Sequence, residues 1–158
     1  MSVPSPPLAL GQRFRLVTII WVAMIASVIV YWLVVELMTR VVEYRFGGSV
    51  PEVLRWVLLG VAFVLPFAAT LVRRSMLAAS GPTPAGTPPE VRVQTAAVIT
   101  FALCEASAVL GLVWFMLTAR PEEFYPFLVI ALASLVYHRP RYADWEAWVR
   151  ERAQHRTG

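Results

Sequence analysis

The sequence contains very few of the residues on which metal proteins and soluble enzymes depend. It has one cysteine, Cys104, and two histidines, His138 and His155, among its 158 residues. A lone cysteine builds neither a disulfide framework nor a cysteine-based metal site, and two histidines far apart in sequence make no metal site either. No glycine-rich phosphate loop or Ser/His/Asp set is present. We therefore expect a protein that is not an enzyme and that holds no metal or cofactor.

Charge is also scarce, and positive charge comes from one residue type only. Charged residues make up 15% of the chain and apolar residues 58%, with a mean hydropathy of +0.64, which is too apolar for a soluble domain. All 14 basic residues are arginines, a bias typical of a high-GC bacterial genome. The net charge of +4 does not indicate a nucleic-acid partner, because the arginines flank apolar runs, where anionic lipid headgroups account for them.

Long apolar runs dominate the sequence. Residues 16–35 and 56–72 contain no charged side chain, and residues 93–119 contain only Glu105. Runs of about 20 residues are typical of transmembrane helices. A fourth run, 124–137, is short enough to suit a re-entrant segment instead. The sequence predicts an all-α integral membrane protein, a four-helix bundle built from two helical hairpins.

Proline and glycine mark the boundaries between these segments. Pro66 lies inside the predicted second helix (52–76), where it should cause a kink and leave the Ala62 carbonyl without its usual partner. The first and third helices are predicted over 16–38 and 91–118. The predicted organisation is a disordered N-terminal segment (1–15), a first transmembrane hairpin (16–79), a Pro/Gly-rich loop (80–90), a second transmembrane hairpin (91–138) and a tail with a short interfacial helix (139–158).

The distribution of arginine predicts the topology. If all four segments cross, most arginines fall on the side of the Pro/Gly-rich loop and of both termini, so the positive-inside rule places that side in the cytoplasm. Trp32, Trp56 and Trp114 then lie near the opposite boundary, as an interfacial aromatic belt requires. Together with the composition, this predicts a multi-pass protein of a bacterial inner membrane.

The C-terminal tail has an amphipathic pattern. Trp145 and Trp148 share one helical face, which we expect to face lipid on the inner membrane surface, while Arg139 and Arg141 reach the headgroups. A docking helix for a partner protein is the alternative interpretation. His138, at the inner end of the last predicted helix, is expected to be an interfacial residue.

Glu105 carries the strongest chemical signal in the sequence. It lies near the middle of its apolar run, where an ionised carboxylate costs about 3 kcal/mol. No basic residue of the other runs lies at matching depth, so we expect a neutral carboxyl group with a hydrogen-bond acceptor. Candidates at similar depth are Ser27, Tyr31 and the freed Ala62 carbonyl.

A stripe of small residues surrounds Glu105 at spacings of three and four. Such a stripe allows another helix to approach closely. Its members are Ala97, Thr100, Cys104, Ser107, Ala108 and Gly111.

Residues 102–112 read Ala-Leu-Cys-Glu-Ala-Ser-Ala-Val-Leu-Gly-Leu. This stretch resembles the carboxylate helix of the c subunit, or proteolipid, of rotary ATP synthases and V-type ATPases, in which a Glu is followed by Ala three residues on and by Gly-Leu six residues on. The resemblance implies that Glu105 binds and releases a proton or sodium ion, and that Ala108 and Gly111 provide close packing.

Two functional hypotheses follow. In the first, reversible protonation of Glu105 serves a proton- or ion-handling complex. In the second, the protein is a non-catalytic assembly or scaffold subunit, in which Glu105 and the small-residue stripe pack against a neighbouring helix. The expected partners are the lipid bilayer and either other membrane subunits or further copies of the chain.

Overall fold

The computed structural model describes residues 7–41, 51–78 and 88–154, and these ranges contain helices and no strand. The all-α prediction is confirmed. The helices are α1 (Pro7–Val41), α2 (Glu52–Leu77), α3 (Pro89–Thr118), α4 (Tyr125–Tyr137) and α5 (Tyr142–Gln154), with a 3-10 turn at Pro121–Glu123 before α4.

Three of these helices are long and apolar enough to cross a membrane: Leu10–Val41 within α1, Glu52–Leu77 and Pro89–Thr118. The chain is therefore a multi-pass α-helical membrane protein. The fourth predicted span is a helix of 13 residues. At 1.5 Å per residue it is about 20 Å long, which is less than the ~30 Å hydrocarbon core of a bilayer.

The first helix begins earlier than the apolar run that predicts it. Residues 7–15, which the sequence analysis assigned to a disordered segment, form the first turns of α1. Phe14 gives the physical reason, because its ring packs edge-on against Tyr142 and Trp145 of α5, with centroid distances of 5.2 and 5.7 Å. Residues 1–6, the inter-helix segment 42–50 and most of the Pro/Gly-rich loop lie outside the described residues.

The third helix is the centre of the bundle and packs against α1, α2 and α4. It lies close to α4 at Gly111, where an added Cβ atom would lie 2.5 Å from the Cβ of Phe127. Every member of the small-residue stripe is buried: Ala97, Thr100, Cys104, Ser107, Ala108 and Gly111. The stripe thus packs helices of this chain against one another.

The end of α3 is fixed by a left-handed residue. Ala119 has φ 56° and donates its backbone N–H to the Phe115 carbonyl at 2.8 Å, which closes the helix. The chain then passes through the 3-10 turn and returns as α4. Together α3 and α4 form a tight helical hairpin.

Pro66 lies inside α2, and the backbone acceptor that it releases is used by α3. The Oγ of Ser107 donates to the Ala62 carbonyl at 2.9 Å. The expectation that this carbonyl serves Glu105 is therefore wrong. A serine on the facing helix satisfies it instead, which is a common remedy for proline in membrane helices. The kink itself stays a prediction.

The fifth helix folds back onto the beginning of α1 and contacts α3. Trp145 is 2% exposed and belongs to the main core cluster, against which the half-buried Trp148 also packs. The expectation that these two rings face lipid is wrong for Trp145, since Phe14 and its neighbours offer an apolar protein surface. Arg139 and Arg141 are exposed.

Candidate functional site

Glu105 lies on α3 at the contact with α1, and its side chain is half-buried. The hydroxyl of Tyr31 donates to its Oε1 at 2.8 Å, and the Oγ of Ser27 hydrogen-bonds to the same oxygen. Ser27 and Tyr31 are four residues apart on α1 and therefore share a face. The structure thus brings together the carboxyl group and both hydroxyls that depth along the helices predicted.

Ser27 connects this carboxyl group to a second acceptor. Its Oγ also lies 2.8 Å from the Met24 carbonyl, so one hydroxyl hydrogen has two acceptors within reach. When Glu105 is neutral, its own O–H can donate to Ser27, which donates to Met24. When Glu105 is ionised, the Ser27 hydroxyl can turn and donate to Oε1. Tyr31 donates in both states, so Oε1 keeps both of its hydroxyl partners in each state.

The partners of Glu105 are neutral. Within residues 10–41, 51–78 and 88–151, whose side chains the structure describes, no ion pair includes Glu105. The same residues include no cluster of three His, Cys, Asp or Glu side chains that could hold a metal ion. Glu105 is therefore held by hydrogen bonds from hydroxyls and by no ion pair among these residues.

A second polar cluster lies on another face of α3. Cys104 directs its Sγ toward α4, 3.8 Å from Nδ1 of His138, and Nε2 of the same ring lies 3.1 Å from the Thr70 hydroxyl. His138 is 5% exposed, so its ring faces the protein interior, and its position at the membrane interface stays a prediction. Its ring turns inward because the Ser134 carbonyl, 2.9 Å from Nδ1, and Thr70 provide polar partners there.

The hydrogen bonds of His138 define its tautomer. A carbonyl only accepts, so Nδ1 carries the hydrogen that is donated to Ser134, and Nε2 of a neutral ring is an acceptor. The Thr70 hydroxyl lies 3.1 Å from Nε2 and 3.0 Å from the Pro66 carbonyl, so its one hydrogen has two acceptors within reach.

Sequence reasoning missed Glu123, which organises the turn between α3 and α4. Its carboxylate accepts from the indole N–H of Trp114 at 2.5 Å and lies 3.8 Å from Arg55 and 3.4 Å from Arg120. Trp114 is 2% exposed, so its expected place in a lipid-facing aromatic belt is wrong. A buried indole needs an acceptor, but the sequence does not show whether Glu122 or Glu123 turns inward to supply it.

Comparison with known proteins gives no family for this chain: no family model matches it, and neither the curated proteins nor the solved structures yield a match. The activity must therefore be inferred from the residues of the chain itself.

Proposed function

We propose that the protein handles protons or ions in the membrane through reversible protonation of Glu105. The observation that carries this proposal is the hydroxyl pair on α1. Ser27 and Tyr31 can both stay hydrogen-bonded to Glu105 in each of its protonation states, and the change requires only rotation of the Ser27 hydroxyl. Half-burial leaves the carboxyl group open to a proton donor or a partner surface.

The topology is part of the proposal. We infer that α4 crosses the bilayer together with the longer helices, so that the chain forms four spans with both termini in the cytoplasm of a bacterium. The concentration of arginine on the side of the termini supports this orientation. A span of 13 residues requires local thinning of the bilayer or side chains that reach outward to the headgroups.

The resemblance of residues 102–112 to the c-subunit carboxylate helix supports the same chemistry. In that family the carboxylate lies on the second helix of a hairpin, whereas α3 is the first helix of its hairpin with α4. The proposal therefore extends to a carboxyl group that exchanges a proton or sodium ion, and not to ring assembly. Other membrane subunits or further copies of the chain would be its partners.

The first test is labelling of native membranes with a hydrophobic carbodiimide, which reacts with protonated carboxyl groups in lipid. We expect one modified residue, Glu105, with labelling that decreases as the pH rises. Glu105→Gln should abolish the modification. Glu36→Gln is the matched control, because Glu36 is also a half-buried carboxylate of the bundle, and it should leave labelling unchanged. Absence of labelling at every pH would exclude a titrating carboxyl group.

The second test measures proton movement in liposomes that contain the purified protein and an internal pH dye. Under a potassium diffusion potential, the internal pH of liposomes with the wild-type protein should change faster than that of empty liposomes. Liposomes with Glu105→Gln should behave like empty ones. Gel filtration should show the same particle size for both. Equal flux with and without the carboxyl group would contradict the proposal.

The alternative function is that of a non-catalytic scaffold subunit. The observation that favours it is that Glu105 already joins α1 to α3 and that the whole small-residue stripe is buried in helix packing. In that case Glu105→Gln should change the assembly of the protein and produce no transport phenotype.

A further inference from the structure

An open groove separates α2 from α4 on the side of the bundle away from α1. It has a volume of about 730 Å³ and is lined by apolar side chains for most of its length, including Phe63, Phe67 and Val129. These three side chains are each more than half exposed, so the groove opens sideways toward lipid.

One end of this groove is basic. A second recess of about 410 Å³ shares Thr70, Arg74 and His138 with the groove and adds Arg73 and Trp148 to its lining. No acidic side chain lines the recess, and across the described residues neither Arg73 nor Arg74 belongs to an ion pair. The guanidinium groups of Arg73 and Arg74 therefore lie at the end of the apolar groove, and neither is paired with a carboxylate among the described residues.

The opposite end of the groove has different chemistry. There a further recess continues past Phe63 to Trp56 and Glu122, which contributes a carboxylate. The two ends thus differ in charge, and only the end at Arg73 and Arg74 suits a negative group.

The dimensions of the groove match one leaflet of a bilayer. Along α2 it runs from Phe63 to Arg74, a rise of about 16 Å at 1.5 Å per residue. One leaflet contributes about half of the ~30 Å hydrocarbon core. A headgroup beside Arg74 would therefore place its acyl chain along Phe67 and end it near Phe63.

The cross-section argues against a helix as the occupant. Volume divided by length gives a mean of roughly 45 Å², whereas a helix with a diameter of about 10 Å needs roughly 80 Å². An acyl chain is thin enough to lie inside this space, whereas a helix of a second copy is too wide to enter it fully and could only cover its opening.

We propose that the groove between α2 and α4 binds an anionic phospholipid, with its phosphate at Arg73 and Arg74 and an acyl chain against Phe67 and Val129. Arginine suits this role because its planar fork donates two hydrogen bonds to phosphate oxygens. This site is independent of Glu105, which lies at the contact of α1 with α3.

The test uses the full chain in nanodiscs of phosphatidylglycerol and phosphatidylcholine in equal amounts, followed by native mass spectrometry of the lipids that stay bound. Both lipids carry a phosphate, but the choline cation of phosphatidylcholine cancels its charge and is repelled by the two arginines. We therefore expect phosphatidylglycerol to be retained over phosphatidylcholine by roughly tenfold or more. The double variant Arg73→Gln/Arg74→Gln should lose this preference.

The matched control is Arg139→Gln/Arg141→Gln, which removes two exposed charges that line neither recess. It should keep the preference within about twofold. An equal loss of the lipid preference in both double variants would show that it comes from the total positive charge of the surface, and would overturn the proposed site.

Ala133→Trp gives an independent readout, because Ala133 is exposed and lines the apolar part of the groove. The added ring should expel the bound lipid while both arginines remain. Unaltered lipid binding in this variant, or displacement of the lipid by millimolar inorganic phosphate, would show that the acyl chain is not in the groove. A dimer that Ala133→Trp abolishes would identify a second copy as the occupant and overturn the proposal.

Discussion

Glu105 and Glu123 are two carboxyl groups of the same hairpin that the fold treats differently. Glu123 is 9% exposed and lies between two arginines and the Trp114 indole, so a negative charge there is compensated from three sides. Glu105 is bonded only by hydroxyls, which can serve either protonation state. Glu123 is thus ion-paired in the turn, whereas the partners of Glu105 among the described residues are hydroxyls, and the proposed proton exchange depends on this difference.

Replacement of Glu123 should have the largest effect on stability. We expect Glu123→Ala to lower the free energy of unfolding by about 3 kcal/mol, because it leaves the buried Trp114 N–H without an acceptor and removes the partner of Arg55 and Arg120. Unfolding by denaturing detergent in mixed micelles measures this change. Glu122→Ala is the control, since Glu122 is exposed and should change stability by less than about 0.5 kcal/mol. Equal losses of stability in Glu123→Ala and Glu122→Ala would show that the contacts of Glu123 do not stabilise the fold.

A larger side chain at Gly111 should disturb the packing of α3 against α4 and leave the Glu105 site unchanged. Gly111→Ala places a methyl group against Phe127 and should cost about 2 kcal/mol through overpacking. The carbodiimide reactivity of Glu105 should persist in this variant.

Gly60→Ala is the matched change for Gly111→Ala, because no atom lies within 4 Å of the added Cβ. It should stabilise the protein slightly, by about 0.4 to 1 kcal/mol, because Gly60 lies inside α2 and alanine restricts the unfolded chain. A similar cost for both glycine variants would mean that helix backbone effects, and not contact with α4, determine the result.

The contact between α2 and α3 should contribute less. Ser107→Ala removes the donor to the Ala62 carbonyl, and we expect a loss of about 1 kcal/mol. In a Pro66→Ala background the backbone N–H of residue 66 can serve this carbonyl again, so the same serine substitution should cost less there. A double-mutant cycle measures the coupling. Additive losses would show that the hydroxyl does not compensate for the proline.

The smallest stability effect should come from Glu105→Gln. A glutamine still hydrogen-bonds with Ser27 and Tyr31, so we expect a change of about 0.6 kcal/mol or less by the same unfolding measurement. Loss of carbodiimide labelling with nearly unchanged stability would sharpen the contrast with Glu123. A loss as large as that of Glu123→Ala would instead make Glu105 a structural residue.

Hydropathy predicted the helices and the depth of their residues, because the length of an apolar run gives a coordinate along the membrane normal. That coordinate was enough to place Ser27 and Tyr31 beside Glu105. It does not give the rotation of a helix about its axis, since the lipid-facing and the buried faces are both apolar in a membrane protein. For this reason the depth of the Ala62 carbonyl did not show that it faces Ser107 and not Glu105.

The same limit explains the residues that the sequence analysis misplaced. Trp114 and Trp145 lie at the ends of helices, as aromatic belts predict, but both turn toward the protein interior. Trp145 contacts Phe14, which is distant along the chain, and Trp114 contacts Glu123, which the sequence does not distinguish from Glu122. No local sequence pattern therefore shows either contact. The beginning of α1 was missed because its first turns are stabilised by α5 and not by lipid.

The shortness of α4 has a consequence for biogenesis. A segment of 13 residues is too short to be recognised by itself as a membrane anchor, yet its buried residues, such as Phe127 and Ala131, already have their surface on α3. Since α3 leaves the ribosome first, the proposed crossing of α4 needs no insertion signal within α4, because α4 can enter the bilayer against a helix that is already present. The loop Ala119–Phe124 would then be carried across the membrane as the tip of a paired insertion.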